Sequence, residues 1–272
     1  MCYNPDMTEK DFSVADTLSS GQCFRFSEKD GLWTVICGVD EQVRTLSLRQ
    51  GDYSLVENDC FFRNYFDFDT DYAEIKRVFS QISPVMEQAC NHAPGIRILK
   101  QDSWEALCSF VVSQNNNIKR ICGIIGRMCE NWGKQGECGI HGFPSAETLC
   151  NLSEDSLRSA GLGFRAPYVI NTARAVCNGD VDFDVLKTSD IDTCRSILMK
   201  VKGIGPKVAD CALLFGCHRL DCFPLDVWMK RVMQKFFPGQ TKEIFGQNAG
   251  VAQQYLFHWA RTSGIFTGEH RS

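Results

Sequence analysis

Apolar and polar positions follow two rhythms along this chain. In the first third, LWTVICGV (32–39) and QVRTLSLRQGDYSLVEN (42–58) are short, rich in β-branched residues and set off by Asp-Glu and Gly-Asp turn signals. Runs of that kind predict an antiparallel sheet. DYAEIKRVFSQISPVMEQACNH (71–92) shifts to helical spacing and closes the region. From about residue 95 the helical period holds. Asp102 precedes WEALCSFVVSQ (104–114), with Glu105 placed as the other half of a capping box. NNNIKRICGIIGRMCENWG (115–133) predicts a second helix, PSAETLCNL and EDSLRSAGLG two short ones, and RAPYVINTARAVCNG (165–179) a longer one. SDIDTCRSILMKV, the turn GIG and PKVADCALLFG, within 189–216, read as helix, tight turn, helix. Pro224-Leu225-Asp226 opens VWMKRVMQKFF, and AGVAQQYLFHWARTSG (249–264) is the last helix. The pattern predicts an α+β protein: an N-terminal antiparallel sheet domain over 1–94, then a larger all-helical domain over 95–272 that contains a helix-hairpin-helix.

The stretch KGIGPKVAD (202–210) carries the sharpest local chemistry. Gly203 and Gly205 let the backbone turn sharply and approach another molecule closely. Pro206 suits the first position of the following helix, which puts Lys207 second, among exposed amides at the positive helix end. An ordinary lysine has a pKa near 10.4, so its neutral form costs roughly 4.6 kcal/mol at pH 7. A helix N-terminus and partial burial disfavour the ammonium and reduce that cost, which primes the amine as a nucleophile. Nineteen residues on, Asp226 stands at the predicted N-cap of the next helix, where backbone amides would hold it ionised. Taken singly, these are also a solvated lysine and a helix cap. Together they suit sugar chemistry: the amine attacks an anomeric carbon while the carboxylate stabilises oxocarbenium-like charge.

Composition narrows the class. The 272 residues are 44% apolar and 23% charged, as in soluble globular proteins. No run approaches the roughly 18 apolar residues of a membrane span. The opening MCYNPDMTEKDF lacks the basic and apolar blocks of a signal peptide, which predicts an intracellular, reducing compartment. Fifteen cysteines occur with no C-x-x-C pair, and most sit in apolar surroundings such as ICGIIGRMC. They read as small buried hydrophobes rather than metal ligands. The net charge of −4 hides an asymmetry: residues 1–90 carry 16 acids and 8 bases, leaving 17 acids and 21 bases for 91–272. Basic charge is therefore concentrated in the part that holds the hairpin, which suits a nucleic-acid partner.

SILMKVKGIGPKVADCALL (196–214) followed by FPLDVWM (223–229) resembles the helix-hairpin-helix, Gly/Pro-Asp superfamily of DNA glycosylases. More narrowly, the chain resembles the 8-oxoguanine DNA glycosylases through SGQCFRF (20–26), SFVVSQNNNIKRICG (109–123), GLGFRAPYV (161–169), the hairpin itself and AQQYLF (252–257), in the family's order. The resemblance implies excision of oxidised guanine from duplex DNA. Lys207 would displace the base at C1′ and form a Schiff base, from which β-elimination nicks the strand. Asp226 would stabilise the sugar cation and help the amine shed its proton. Gly21 would point its carbonyl at N7–H of the flipped base. Normal guanine has a lone pair at N7, so an acceptor there discriminates strongly. Gln253 would read the Watson–Crick edge, Phe257 would stack on the lesion, and Cys211 would face its other side. Asn115, Arg120, Phe164 and Arg165 would fill the gap left by the extruded base and bond the orphaned cytosine. Amides of Gly203 and Gly205 would hold a DNA phosphate.

By the same resemblance no cofactor or metal is required, although family hairpins also hold a monovalent cation through backbone carbonyls. The implied partner is double-stranded DNA with 8-oxoguanine opposite cytosine, bound by a monomer away from any membrane, in the cytoplasm at a prokaryotic nucleoid. A shorter N-terminal region than in eukaryotic members and the lack of a basic tail point to such a cell. Two positions depart from well-known members: Phe164 replaces a tyrosine and Trp228 a histidine, which bears on the wedge, the pocket wall and a nearby phosphate contact. Two other readings stay open: a related glycosylase for a different lesion, and a non-catalytic hairpin module that only grips DNA. Alkylpurine members typically lack the lysine, and adenine and pyrimidine members usually carry a late four-cysteine cluster. No cysteine follows Cys222 here.

Overall fold

The computed structural model describes residues 7–137 and 139–266. Strands β1 (Phe26–Lys29), β2 (Leu32–Cys37) and β3 (Arg44–Leu48) form an antiparallel meander in that order. Asp30 and Gly31, with φ of 52° and 76°, supply the two-residue turn between β1 and β2, as mirror-image hairpin turns require. The run 42–58 does not stay extended. The strand ends at Leu48, Gly51 turns left-handed, and Tyr53–Glu57 is a short helix. Val35 and Leu48 bury one face of the sheet against Phe12, Val56 and Phe66.

Nine helices of nine or more residues are found among the described residues. They are α1 (Tyr72–Ser80), α2 (Pro84–His92), α3 (Ser103–Val112), α4 (Ile118–Trp132), α5 (Ala166–Cys177), α6 (Ile191–Met199), α7 (Pro206–Gly216), α8 (Val227–Phe236) and α9 (Ala249–Thr262). The segment 71–92 breaks into α1 and α2 because Ser83 is extended before Pro84, and its hydroxyl caps α2 at the Met86 amide. Ile75, Phe79 and Met86 of this pair share a buried cluster with Leu256 and Trp259 of α9. Helices α3 and α7 pack with little space between them: a Cβ on Gly216 would lie 3.0 Å from Ala106.

Two buried charge clusters tie distant parts of the chain together, the first of them joining the sheet to the helices. Asp102 caps α3 at the Glu105 amide (2.9 Å), but the Glu105 carboxylate does not complete the expected box. It accepts instead from Arg25 Nη1 (3.2 Å) and the Gly38 amide (3.0 Å), while Arg25 Nη2 donates to the His141 carbonyl (2.8 Å). In the second cluster, the fully buried Asp67 accepts from the Tyr72 hydroxyl (3.0 Å) and pairs with Lys100 (2.7 Å) and His218 (3.3 Å). Burial alone would raise this carboxyl. The His218, Lys100 and Thr70 partners outweigh it and hold the pKa at about 2, against an ordinary 3.8. A depressed carboxyl stabilises the fold above its unfolded pKa, and that contribution disappears as pH falls from about 4 towards 2. A urea midpoint series is expected to drop in that window by the equivalent of about 2 kcal/mol, and Asp67→Asn to remove that part of the drop.

Candidate active site

The hairpin between α6 and α7 is shaped by one of its two glycines. Gly203 has φ 106°, and a Cβ there would lie 2.3 Å from the Tyr168 ring. Gly205 is extended (φ −99°, ψ 177°), and a Cβ on it would meet nothing within 4 Å. The turn thus needs Gly203, whereas Gly205 leaves an open face. Gly203→Ala is expected to cost on the order of 2–3 kcal/mol in denaturant unfolding, with Gly205→Ala close to neutral.

Pro206 and Lys207 are the first and second residues of α7, and no side chain caps that helix end. Lys207 is half-buried, its Nζ 5.3 Å from the centre of the Phe110 ring. It hydrogen-bonds Cys211 one turn on, whose buried thiol is pushed up to about 11 by desolvation against the pull of the lysine. Asp226 caps α8, accepting the Met229 amide at 2.8 Å and also bonding the Trp228 amide. These bonds are the ones expected, but they do not set its pKa. Burial outweighs them, together with the charges of Lys207 and Arg261, and raises the carboxyl above its ordinary value. The Trp228 ring packs against Phe266 at 6.1 Å.

Gly21 lies in the loop before β1 with φ 83°. A Cβ there would sit 3.5 Å from each of Ile118 Cδ1, Phe257 Cε1 and Arg261 Nη1. The left-handed backbone favours glycine, while the neighbours on α4 and α9 sit at ordinary contact distance from a Cβ. Gln253, Phe257 and Arg261 follow one another at four-residue spacing on one face of α9. Gln253 is 4% exposed, and its Oε1 is buried without a hydrogen-bond partner among the described residues. Such an orphaned acceptor is costly unless something else satisfies it. Lys207 and Arg261 both act on Asp226, and Arg261 lies 5.1 Å over the Phe257 ring that borders Gly21.

The three asparagines divide their work. Asn115 is exposed and left-handed (φ 48°), Asn116 bonds back to Val112, and Asn117 caps α4 at the Arg120 amide (3.0 Å). Arg120 and Phe164 are exposed, Phe164 by 49%. Arg165 lies beside these residues but is buried. It is 2% exposed and donates to the carbonyls of Gln114 (2.6 Å) and Asn115 (2.7 Å), with its guanidinium 4.3 Å over Phe164. A donor fork satisfied by backbone carbonyls is a strut for the Asn115 turn. Gln114 ties this group to the hairpin, its Nε2 donating to the Gly203 carbonyl at 2.9 Å. A cavity of about 890 Å³ opens elsewhere, beside Arg44, Phe61 and Lys100, and holds none of these residues.

The model of the 8-oxoguanine DNA glycosylase N-terminal domain matches residues 6–107, and that of the HhH-GPD superfamily of base excision DNA repair proteins matches 108–248. The chain belongs to the 8-oxoguanine DNA glycosylases. The N-glycosylase/DNA lyase of Saccharomyces cerevisiae is 30% identical over 263 residues, covering 84% of this chain and 69% of the yeast enzyme. The 8-oxoguanine glycosylase/lyase of Clostridium acetobutylicum, solved with double-stranded DNA containing cytosine opposite 8-oxoguanine, superimposes with a TM-score of 0.78 at 32% identity over 94% of each chain. MBOgg1 with a low-affinity DNA ligand gives 0.80 at 36% identity, again over 94% of each. In this glycosylase the sequence reading passed over Phe110, Gln114 and Arg261. Only Arg261 had a visible signal, its spacing of four from Phe257 and eight from Gln253.

Proposed function

We propose that this glycosylase is a base-excision repair enzyme that removes 8-oxoguanine from duplex DNA and then nicks the strand. The Lys207 amine bonds to C1′ as the glycosidic bond breaks and its electrons leave with the base. The sugar ring opens to a Schiff base, and β-elimination expels the 3′ phosphate. Asp226 stabilises the positive charge on the sugar and takes part in deprotonating the amine. The Gly21 carbonyl accepts from N7–H, Gln253 reads the Watson–Crick edge, and the base lies between Phe257 and Cys211. Asn115, Arg120 and Phe164 occupy the vacated stack, with Arg165 bracing them. The hairpin amides at Gly203 and Gly205 take a phosphate.

One observation carries this reading. A helix-start lysine and the Arg261 guanidinium both act on one half-buried carboxylate, and Arg261 lies over the Phe257 ring beside a left-handed glycine, with an unsatisfied Gln253 oxygen one turn away. A monovalent cation fits the neutral carbonyl oxygens of the hairpin. The Gly203 and Val201 carbonyls each already accept one N–H, from Gln114 and Ile204, and keep a second lone pair. Such an ion would neutralise phosphate charge there, and no step passes through it. No cluster of His, Cys, Asp or Glu able to hold a metal occurs among the described residues, nor does a helix long and apolar enough to cross a membrane. The reading has the protein act as a monomer in the cytoplasm, at the nucleoid.

The test uses duplexes carrying the lesion opposite each of the four bases, with products compared with and without alkali. Strand cleavage without alkali, fastest opposite cytosine, is expected. Binding without release of any base would leave only the DNA-gripping module.

A further inference from the structure

We infer that Arg261 binds a DNA phosphate flanking the flipped nucleotide and so fixes the sugar over Lys207. The inference rests on the glycosylase reading above. Along one face of α9, Gln253 is buried, Phe257 half-buried and Arg261 exposed, so the face runs from pocket floor to rim. A base read at the floor by Gln253 leaves its sugar and phosphates at the rim, where Arg261 stands. The guanidinium is held in place, 5.1 Å over the Phe257 ring and beside Gly21. Yet it forms no hydrogen bond and no ion pair within 4.0 Å with any described residue. Arg165 donates to backbone carbonyls, and Arg25 and Arg195 pair with Glu105 and Asp210. A planar fork fixed by stacking, with its donors unused, suits bidentate capture of a phosphate.

Asp226 is the carboxylate that acts on Arg261, but the two are not paired within 4.0 Å. That separation leaves room for a substrate anion on the guanidinium while its charge still acts on Asp226. Other charged groups at the mouth are Lys207 on α7 and Asp226 on α8, so a phosphate there meets two cations and one anion.

The experiment measures binding of a duplex with a tetrahydrofuran abasic analogue opposite cytosine, as a function of salt. Losing one phosphate contact lowers the slope of log K against log salt by about one. Arg261→Gln is expected to show that loss and Arg261→Lys to keep the wild-type slope. A methylphosphonate at one of the two phosphates flanking the analogue is expected to weaken wild type but not Arg261→Gln. Single-turnover excision of 8-oxoguanine at saturating DNA is expected to fall less than tenfold in Arg261→Gln. An unchanged slope would overturn the inference. So would a changed ratio of 8-oxoguanine to guanine excision without a change in slope, which makes Arg261 a reader of the base, or a shifted pH–rate profile alone, which makes it act through Asp226. Failure of the glycosylase reading appears separately, as wild-type protein that binds the analogue but releases no base.

Discussion

Lys207→Gln is expected to abolish the covalent complex that borohydride traps on 8-oxoguanine duplex, and to slow excision by on the order of 10⁴-fold or more. The amide has a similar reach and can still hydrogen-bond the Cys211 thiol, but it has no electron pair able to form a Schiff base. Lys207 lies on the first turn of α7 and makes no ion pair within 4.0 Å with a described residue, so the fold is expected to survive the change. Thermal unfolding within a few degrees of wild type, with duplex binding retained, separates loss of chemistry from loss of structure. Trapping that persists in this variant would assign the nucleophile to another amine.

Arg25→Ala is expected to cost about 3–5 kcal/mol in urea unfolding, the range for stranding one partner of a buried ion pair. Arg25 and Glu105 have side chains only 6% and 9% exposed, and removing the guanidinium also takes one donor from the Gly38 carbonyl, which keeps the Phe143 amide, and the donor from the His141 carbonyl. Burial already raises the Glu105 carboxyl despite the attraction of Arg25, and losing Arg25 raises it further. A carboxyl raised in the folded state binds its proton more readily folded than unfolded, so the variant regains stability as pH falls through that pKa. The deficit relative to wild type is therefore expected to shrink as pH is lowered from neutral. The double variant Arg25→Met/Glu105→Leu is expected to recover much of the loss, since apolar replacement of a buried pair is often tolerated. A single-variant cost under about 1 kcal/mol would remove this pair from the forces joining sheet and helices.

Where a residue's partner lies within a turn or two, the sequence was a good guide. Pro206 at the start of α7, Asp226 capping α8 and Asp102 capping α3 all depend on neighbours three or four residues away. The misread features have distant partners or local stops. Glu105 has the spacing of a capping box, but its carboxylate goes to Arg25, 80 positions earlier. The carbonyls that take the Arg165 donors, 50 and 51 residues back, are likewise invisible in local spacing. The Asp226 cap was legible, but its raised pKa reflects burial, which spacing does not encode. The run 42–58 was half right because Gly51 ends the extended chain before a short apolar helix.

Tyr168 packs against both Gly203 and the exposed Phe164 (6.2 Å), and Gln114 bonds the hairpin from the other side while Arg165 bonds Gln114. The gap-filling residues and the strand-gripping turn are in this way one preassembled block. With the proposed roles, the enzyme brings a nearly rigid mould, and most of the distortion on engagement falls on the double helix. Base pairs that open easily would then be sampled more often than tight ones, before any atom of the lesion is read.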